Sequence, residues 1–329
     1  MSRQRITVVL SQGQGKNPAK RSLEESVAAA LILEPGLEVC IVPHLYDLDE
    51  NHTGRMFLDA VRGDMVVLAW LFQRAAFWVL DRDGIKGHFG ENQIAVKQDD
   101  DEDGEKPVAK GIGVPNLPDR HIYCLDLRDH GDYRVYVDEV KRIAAECATR
   151  REAKAASAPP ALLQLGIATK PSFEPEQIMA AAGRRWYPVI DYSRCTNCME
   201  CLDFCLFGVY GVDSLERLVV ENQDSCKKGC PACSRVCPEN AIMFPEHKTP
   251  GIAGAPVSAL SGLKIDLTKL FGGMDAMAMA AQERDRELVA DGRHAVGMAV
   301  GIPKRQAEKV CAPKDDLDKL MDALDELEI

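Results

Sequence analysis

The sequence predicts an α/β domain with a mostly parallel sheet, then a small cysteine-rich domain, then a helical tail. Two observations predict the first part. Apolar runs of strand length alternate with helix-period stretches through residues 1–157, and Gly, Pro and Asn turns separate them. A third observation marks the second part: of 12 cysteines, eight crowd between Cys195 and Cys237.

Ile6–Leu10 reads as the first strand and Ser11–Gly15 as the turn that ends it. Asn17 followed by Pro18 supplies an N-cap and a first-turn proline for a helix. Its apolar stripe is Leu23, Val27, Ala30, Leu31 and Leu33, and Glu34-Pro35-Gly36 stops it. Leu37–Val42, Asp64–Phe72 and His121–Leu127 read as three further strands. The most apolar window, Met65–Leu80, holds Gln73 and Arg74 and is too short to cross about 30 Å of hydrocarbon, so a buried strand running into a helix is expected. Tyr133–Ala156 places Val137, Val140, Ile143, Ala144 and Cys147 on one helical stripe.

These elements set the expected domains. Residues 1–157 form the α/β domain, of Rossmann-like or chelatase-like form, and 158–187 a connector with a short helix within 172–183. Residues 188–248 form the cysteine-rich domain, and 249–329 a linker (Thr249–Gly262) with an acidic amphipathic helix beyond Pro313. That last helix carries Leu317, Leu320, Met321, Leu324 and Leu327 on one side, a face to be buried against either the chain's own domain or a partner subunit. The acidic run Asp99–Asp103 lacks spaced ligands and reads as a solvated loop rather than a cation site.

Charge narrows the function. Lys and Arg total 40 against 51 Asp and Glu, a net charge of -11, which argues against nucleic acid and against an anionic membrane surface. The first apolar stretch is too short for a signal-peptide core, and no segment is expected to insert in a membrane; a cytoplasmic protein is expected.

The cysteines fall in two runs, Cys195-x2-Cys198-x2-Cys201-x3-Cys205 and Cys226-x3-Cys230-x2-Cys233-x3-Cys237-Pro238. In a reducing compartment such clusters bind metal rather than form disulfides. A zinc site needs four ligands, usually as two separated pairs, so two zinc sites are the alternative reading. Two four-cysteine runs match instead the pattern in which the fourth cysteine of each run ligates the other of two clusters. Val189-Ile190-Asp191 leads into the first run as Val219-Val220-Glu221 leads into the second, and Cys237-Pro-Glu-Asn-Ala-Ile242 closes the region.

Residues of about 188–245 therefore resemble a bacterial-type ferredoxin domain carrying two 4Fe–4S clusters. The resemblance implies a small α+β fold and ligands carried over residue by residue. Cluster one takes Cys195, Cys198, Cys201 and Cys237; cluster two takes Cys226, Cys230, Cys233 and Cys205. Two departures stand out. Leu206 occupies the place after Cys205 where the family has proline, and three residues rather than two separate Cys226 from Cys230. Gly229 is suited to absorb the extra residue, because glycine takes backbone conformations closed to others. Lys227 and Lys228 beside cluster two offer a charge that raises its potential or docks a partner. Cys40, Cys124, Cys147 and Cys311 are scattered and read as small apolar or surface residues.

In the α/β domain, Ser11-Gln-Gly-Gln-Gly-Lys16 follows a strand and precedes a helix, yet it fails both the dinucleotide and the P-loop templates and reads as a tight turn. The strand–turn–helix order, with Gly36-Leu-Glu-Val39 and Val66–Phe72, is similar in fold to one half of a class II tetrapyrrole chelatase. Gln12 stands where that family has a histidine, so the likeness implies fold and not chelation. Trp70, Phe72, Gln73 and Arg74 end the third strand, where open parallel sheets bind ligands. His44, His52 and His88 show no ligand spacing and read as loop residues. No residue is assigned a catalytic role.

The reading that follows is an electron-transfer protein, the ferredoxin-like subunit of a larger oxidoreductase complex, relaying single electrons to a redox partner. Two alternatives remain open: a self-contained reductase whose α/β domain binds a substrate or cofactor, and an assembly protein with structural clusters.

Overall fold

A computed structural model of the chain describes residues 5–15, 17–94, 111–115, 117–157, 174–256 and 276–301. The acidic run Asp99–Asp103, Cys311 and the helix expected beyond Pro313 lie outside the described residues, as does most of the stretch 158–187 before residue 174.

Strand β1 (Ile6–Ser11) leads to helix α1 (Pro18–Ile32), strand β2 (Leu37–Val42), helix α2 (Thr53–Ala60) and strand β3 (Met65–Ala69). Helix α3 (Gln73–Arg82), strand β4 (His88–Gly90), strand β5 (His121–Asp126) and helix α4 (Tyr133–Ser157) complete the α/β region. The strands form one parallel sheet in the order β2-β1-β3-β5-β4. Asn17 caps α1 as its residue type predicts, its Oδ1 accepting from Ala19 N at 3.0 Å. Of these strands, β4 is new to the sequence reading, since three residues at a sheet edge carry no periodicity to detect.

Side chains alternate between the two sheet faces. Val66 and Leu68 face α1 and α4 with Val27, Leu31, Val140 and Ile143. Met65, Val67 and Ala69 face the other way, into a core built with Phe77, Trp78 and Leu80 of α3. That second core also takes in Tyr187, Val189 and Met243, so residues of the cysteine-rich region cover this face of the sheet.

The region after residue 174 begins with helix α5 (Pro175–Ile178) and continues through strand β6 (Val189–Ile190), helix α6 (Glu200–Phe204), strands β7 (Tyr210–Val212) and β8 (Leu218–Val220), helix α7 (Ala232–Val236) and strand β9 (Ile242–Met243). β6 pairs antiparallel with β9, and β7 with β8. Helix α8 (Pro250–Ala253) falls where the composition suggested a linker. Pro250 opens it, Gly254 closes it at φ +100, and Ile252 and Ala253 are buried. Helix α9 (Ala276–Ala290) packs on α7. No helix among the described residues is long and apolar enough to cross a membrane.

Polar junctions hold the cysteine-rich region to the sheet, among them two built on Tyr187 and Arg74. Tyr187 N donates to Tyr46 Oη at 2.7 Å, Tyr46 Oη donates to Tyr187 O at 2.5 Å, and Tyr187 Oη donates to Tyr46 O at 3.0 Å. Their rings stack at 4.3 Å between centroids. Arg74, at the start of α3, donates from Nε to Asp191 Oδ2 at 2.5 Å and from Nη2 to Asn240 O at 2.7 Å. The anion held at the end of β3 is thus the protein's own Asp191.

His52 is the N-cap of α2, its Nδ1 accepting from Gly54 N at 2.9 Å, and His88 begins the edge strand β4. His44 is buried, with Asp47 at 3.8 Å and Glu246 at 3.4 Å. Burial, reinforced by Lys20 and Arg184, lowers its pKa to about 4. In the unfolded chain the same ring takes a proton below about 6.5, so acidification from about 6.5 to about 4 favours unfolding, by up to about 3 kcal/mol. The stability difference between pH 7 and pH 5 is therefore expected to shrink in His44→Gln, as read by anaerobic thermal melts; equal pH slopes would show that His44 is not the group responsible.

Candidate metal centre

The cysteine loops are shaped by backbone conformations that only some residues accept. In the first run, Asn197 and Met199 have φ of 58 and 61. Asn tolerates the left-handed region, whereas Met there is held by its surroundings. The Asn197 side chain is pinned to the β7–β8 hairpin, its Nδ2 donating to Glu216 O and its Oδ1 accepting from Leu218 N, both at 2.8 Å. In the second run Gly229 has φ +89, and Cys230 N closes a turn onto Lys227 O at 3.0 Å. The inserted residue is accommodated at the glycine.

Two short helices then repeat one design. α6 carries Cys201 in its first turn and ends at Cys205, whose N donates to Cys201 O at 3.1 Å. α7 carries Cys233 and ends at Cys237, whose N donates to Cys233 O at 3.2 Å. Each helix places two cysteines four residues apart, at opposite ends.

Electrostatic neighbourhoods sort the eight thiols into two sets. Burial raises the pKa of Cys201, and Cys237, Cys195 and Cys198 raise it further. Cys195 is pushed up to about 11 by burial, with Cys237 and Cys198 as its thiol neighbours. Cys233 is raised by burial and then by Cys205, Cys226 and Cys230. Cys226 is raised by burial, Cys230 and Cys205. Cys195, Cys198, Cys201 and Cys237 thus stand together, and Cys205, Cys226, Cys230 and Cys233 form the other set, lining one cavity. Each helix sends its first cysteine to one set and its last to the other.

Donors surround the sulfurs. Ala241 N lies 3.3 Å from Cys237 Sγ, and the N–H groups of Glu239 and Ile242 also lower the pKa of that thiol against its burial. Asn197 N–H does the same for Cys195, and Ala232 N–H for Cys230. Tyr210 Oη, on a buried side chain, donates to Cys233 Sγ at 3.0 Å. Sequence reading missed Tyr210, since its role depends on how β7 is placed and not on any spacing. Beside the first loop, Arg194 Nη1 and Thr196 Oγ1 are buried with no hydrogen-bond partner among the described residues.

These features fit an iron–sulfur group. Buried thiols in fours are poor at ionising alone, and a bound cationic core keeps them as thiolates that the surrounding N–H and O–H donors then stabilise. Lys227, expected to flank cluster two, is paired with Asp291 of the chain following α9, whereas Lys228 is exposed. Cys124 and Cys147 are buried core residues and Cys40 packs at the core margin.

If Cys233 holds an iron–sulfur group, removing the Tyr210 hydroxyl is expected to lower that group's reduction potential. One hydrogen bond of about 1 kcal/mol corresponds to roughly 40 mV for a one-electron couple. A potentiometric titration of Tyr210→Phe showing both potentials unmoved would rule this out.

The backbone of residues 111–113 docks on the first loop. Gly111 N donates to Ser193 O and Ile112 N to Cys195 O, each at 2.9 Å. A Cβ on Gly111 would collide with the backbone of Tyr192 and Ser193, which is why glycine stands there.

Over 66 residues the chain is 50% identical to an uncharacterized ferredoxin of Methanocaldococcus jannaschii. The match supports a ferredoxin-like domain. It covers 20% of this chain and 44% of that protein, so the relative is matched over less than half its length. No protein-family model and no solved structure matches the chain. The ferredoxin-like domain supports an iron–sulfur electron-transfer role.

Proposed function

We propose that the protein relays single electrons through two 4Fe–4S clusters and serves as the ferredoxin-like subunit of a larger oxidoreductase complex. Cys195, Cys198, Cys201 and Cys237 would hold one cluster, and Cys205, Cys226, Cys230 and Cys233 the other. The observation that carries this reading is the sorting of the eight thiols into two sets of four, each drawing one cysteine from the other run. Single structural zinc sites do not call for that crossing. The clusters, when bound, supply reversible one-electron chemistry; the chain's own part is to bury the sulfurs, aim N–H and O–H donors at them and limit water.

Protein prepared without oxygen is expected to hold about eight iron and about eight acid-labile sulfides per chain, with two reducible paramagnetic centres. Stoichiometric zinc without sulfide would overturn the assignment. The acidic C-terminal segment, beyond the described residues, fits a docking element for the partner, and the location we propose is the cytoplasm. The chelatase-like character of the α/β domain is likewise a proposal.

One observation favours the second reading, a reductase complete in itself. A cavity of about 300 Å3 opens at the carboxyl ends of β1 and β2, between the Gln12–Gly15 turn, His44 and Arg184. Ligands of open parallel sheets bind at such a place. Cluster-loaded protein that oxidises its reduced clusters with a small molecule alone, and loses this on Arg184→Glu, would favour that reading over the partner-dependent one.

A further inference from the structure

α9 belongs to the chain beyond the ferredoxin-like region, yet it closes over one set of cysteines. Arg235 of α7 meets Glu283 through two bonds of 2.9 and 3.0 Å, Lys227 pairs with Asp291, and Arg293 Nη1 donates to Leu206 O at 2.9 Å. At the centre of this cover stands Arg284, 1% exposed and among the largest fully buried side chains. It lines one cavity with Cys205, Cys226, Cys230 and Cys233.

A buried guanidinium is costly unless an anion answers it. One carboxylate, Asp285, pairs with this charge, and the Phe204 ring lies against the guanidinium at 4.5 Å. Asp285 reaches Nε at 3.3 Å, while its other oxygen accepts from Gly297 N at 2.6 Å. Nη1 donates to Val300 O at 2.9 Å and Nη2 to Gly297 O at 2.8 Å, and carbonyls bring no net charge. The acids nearest Cys230, Glu283 and Glu287, are each paired with another arginine, Arg235 and Arg286. Gly301, at φ +71, lets the chain close on the guanidinium: a Cβ there would stand 2.7 Å from Nη1. A buried cation that walls a cavity of four thiols, with its carboxylate partner at Nε, suits a negatively charged group in that cavity.

We propose that Arg284 is the fixed positive charge that raises the reduction potential of the cluster held by Cys205, Cys226, Cys230 and Cys233. The inference rests on the two-cluster reading. Each electron added makes the cluster more negative, so a cation in a low-dielectric wall favours the reduced form. The ferredoxin-like region acquires this charge from a helix outside it.

The test is a spectroscopically monitored redox titration of anaerobic full-length protein, wild type against Arg284→Gln, Arg284→Lys and Asp285→Asn. Cys230→Ser identifies which signal belongs to this cluster. Arg284→Gln is expected to shift the oxidised-to-reduced ratio of that signal about tenfold toward oxidised at fixed potential, about 59 mV, leaving the other signal in place. Arg284→Lys should stay near wild type, and Asp285→Asn should move the potential upward. Wild-type potentials in Arg284→Gln would overturn the proposal while leaving two clusters standing; a wild-type protein with fewer than two centres would instead overturn the reading beneath it. Should Arg284→Gln fail to load the cluster, Asp285→Asn decides, an upward shift supporting the proposal and an unmoved potential refuting it.

Discussion

Replacing Cys237 by serine is expected to damage both halves of the ferredoxin-like domain, whereas Cys198→Ser damages one. Cys198 sits in the loop before α6 and neighbours Cys195, Cys201 and Cys237. Cys237 ends α7, the helix that also presents Cys233 to the other set. Losing the metal bond proposed for it would release that helix end, and with it the Cys233 side chain and its contact to Tyr210. Cys198→Ser should retain the other cluster, about four iron per chain; Cys237→Ser should fall below that and melt at lower temperature. Cys205→Ser should behave like Cys237→Ser, through α6. Identical iron contents in Cys198→Ser and Cys237→Ser would remove the case for crossed ligation.

The second large effect is expected at the junction with the sheet. Arg74→Ala leaves Asp191, with a side chain 2% exposed, without its hydrogen-bonded cation, keeping the bonds from Ser193 N and Oγ and the more distant charge of Arg194. Removing one partner of a buried pair costs about 3 kcal/mol, or roughly 4 °C in melting temperature for a chain of this size. The double variant Arg74→Leu with Asp191→Leu should recover part of the loss, since an apolar pair leaves no stranded charge. A fall of less than about 2 °C in Arg74→Ala would mean that apolar packing around Tyr187, Val189 and Met243, and not this pair, holds the junction.

Much of this architecture is legible in the residues because the signals are local. Asn17-Pro18 announces the start of α1, and the cysteine spacing marks both loops with no knowledge of the rest of the chain. Gly229 is legible for the same reason, as the residue able to absorb an insertion beside Cys230. What stays hidden depends on contacts between distant segments. Arg74 reads only as one of the residues ending the third strand, and the fold reveals that Asp191, 117 positions on, is its partner. Tyr210 and Arg284 follow no motif; each matters because of what stands beside it in space. The proline and glycine around Ile252 suggest a linker, yet the same two residues open and close α8, and composition alone does not separate the two outcomes.

The sharing of a core between the sheet and the cysteine-rich region has a consequence for the living cell. Tyr187, Val189 and Met243 cover one face of the α/β sheet, and their own placement follows from loops organised around the thiols. Newly made chains starved of iron would leave that apolar face uncovered, and exposed apolar surface of this kind is what proteolysis and aggregation act upon. On the proposed cluster-bound reading, cellular abundance of the chain, α/β portion included, should then track the supply of iron and sulfide.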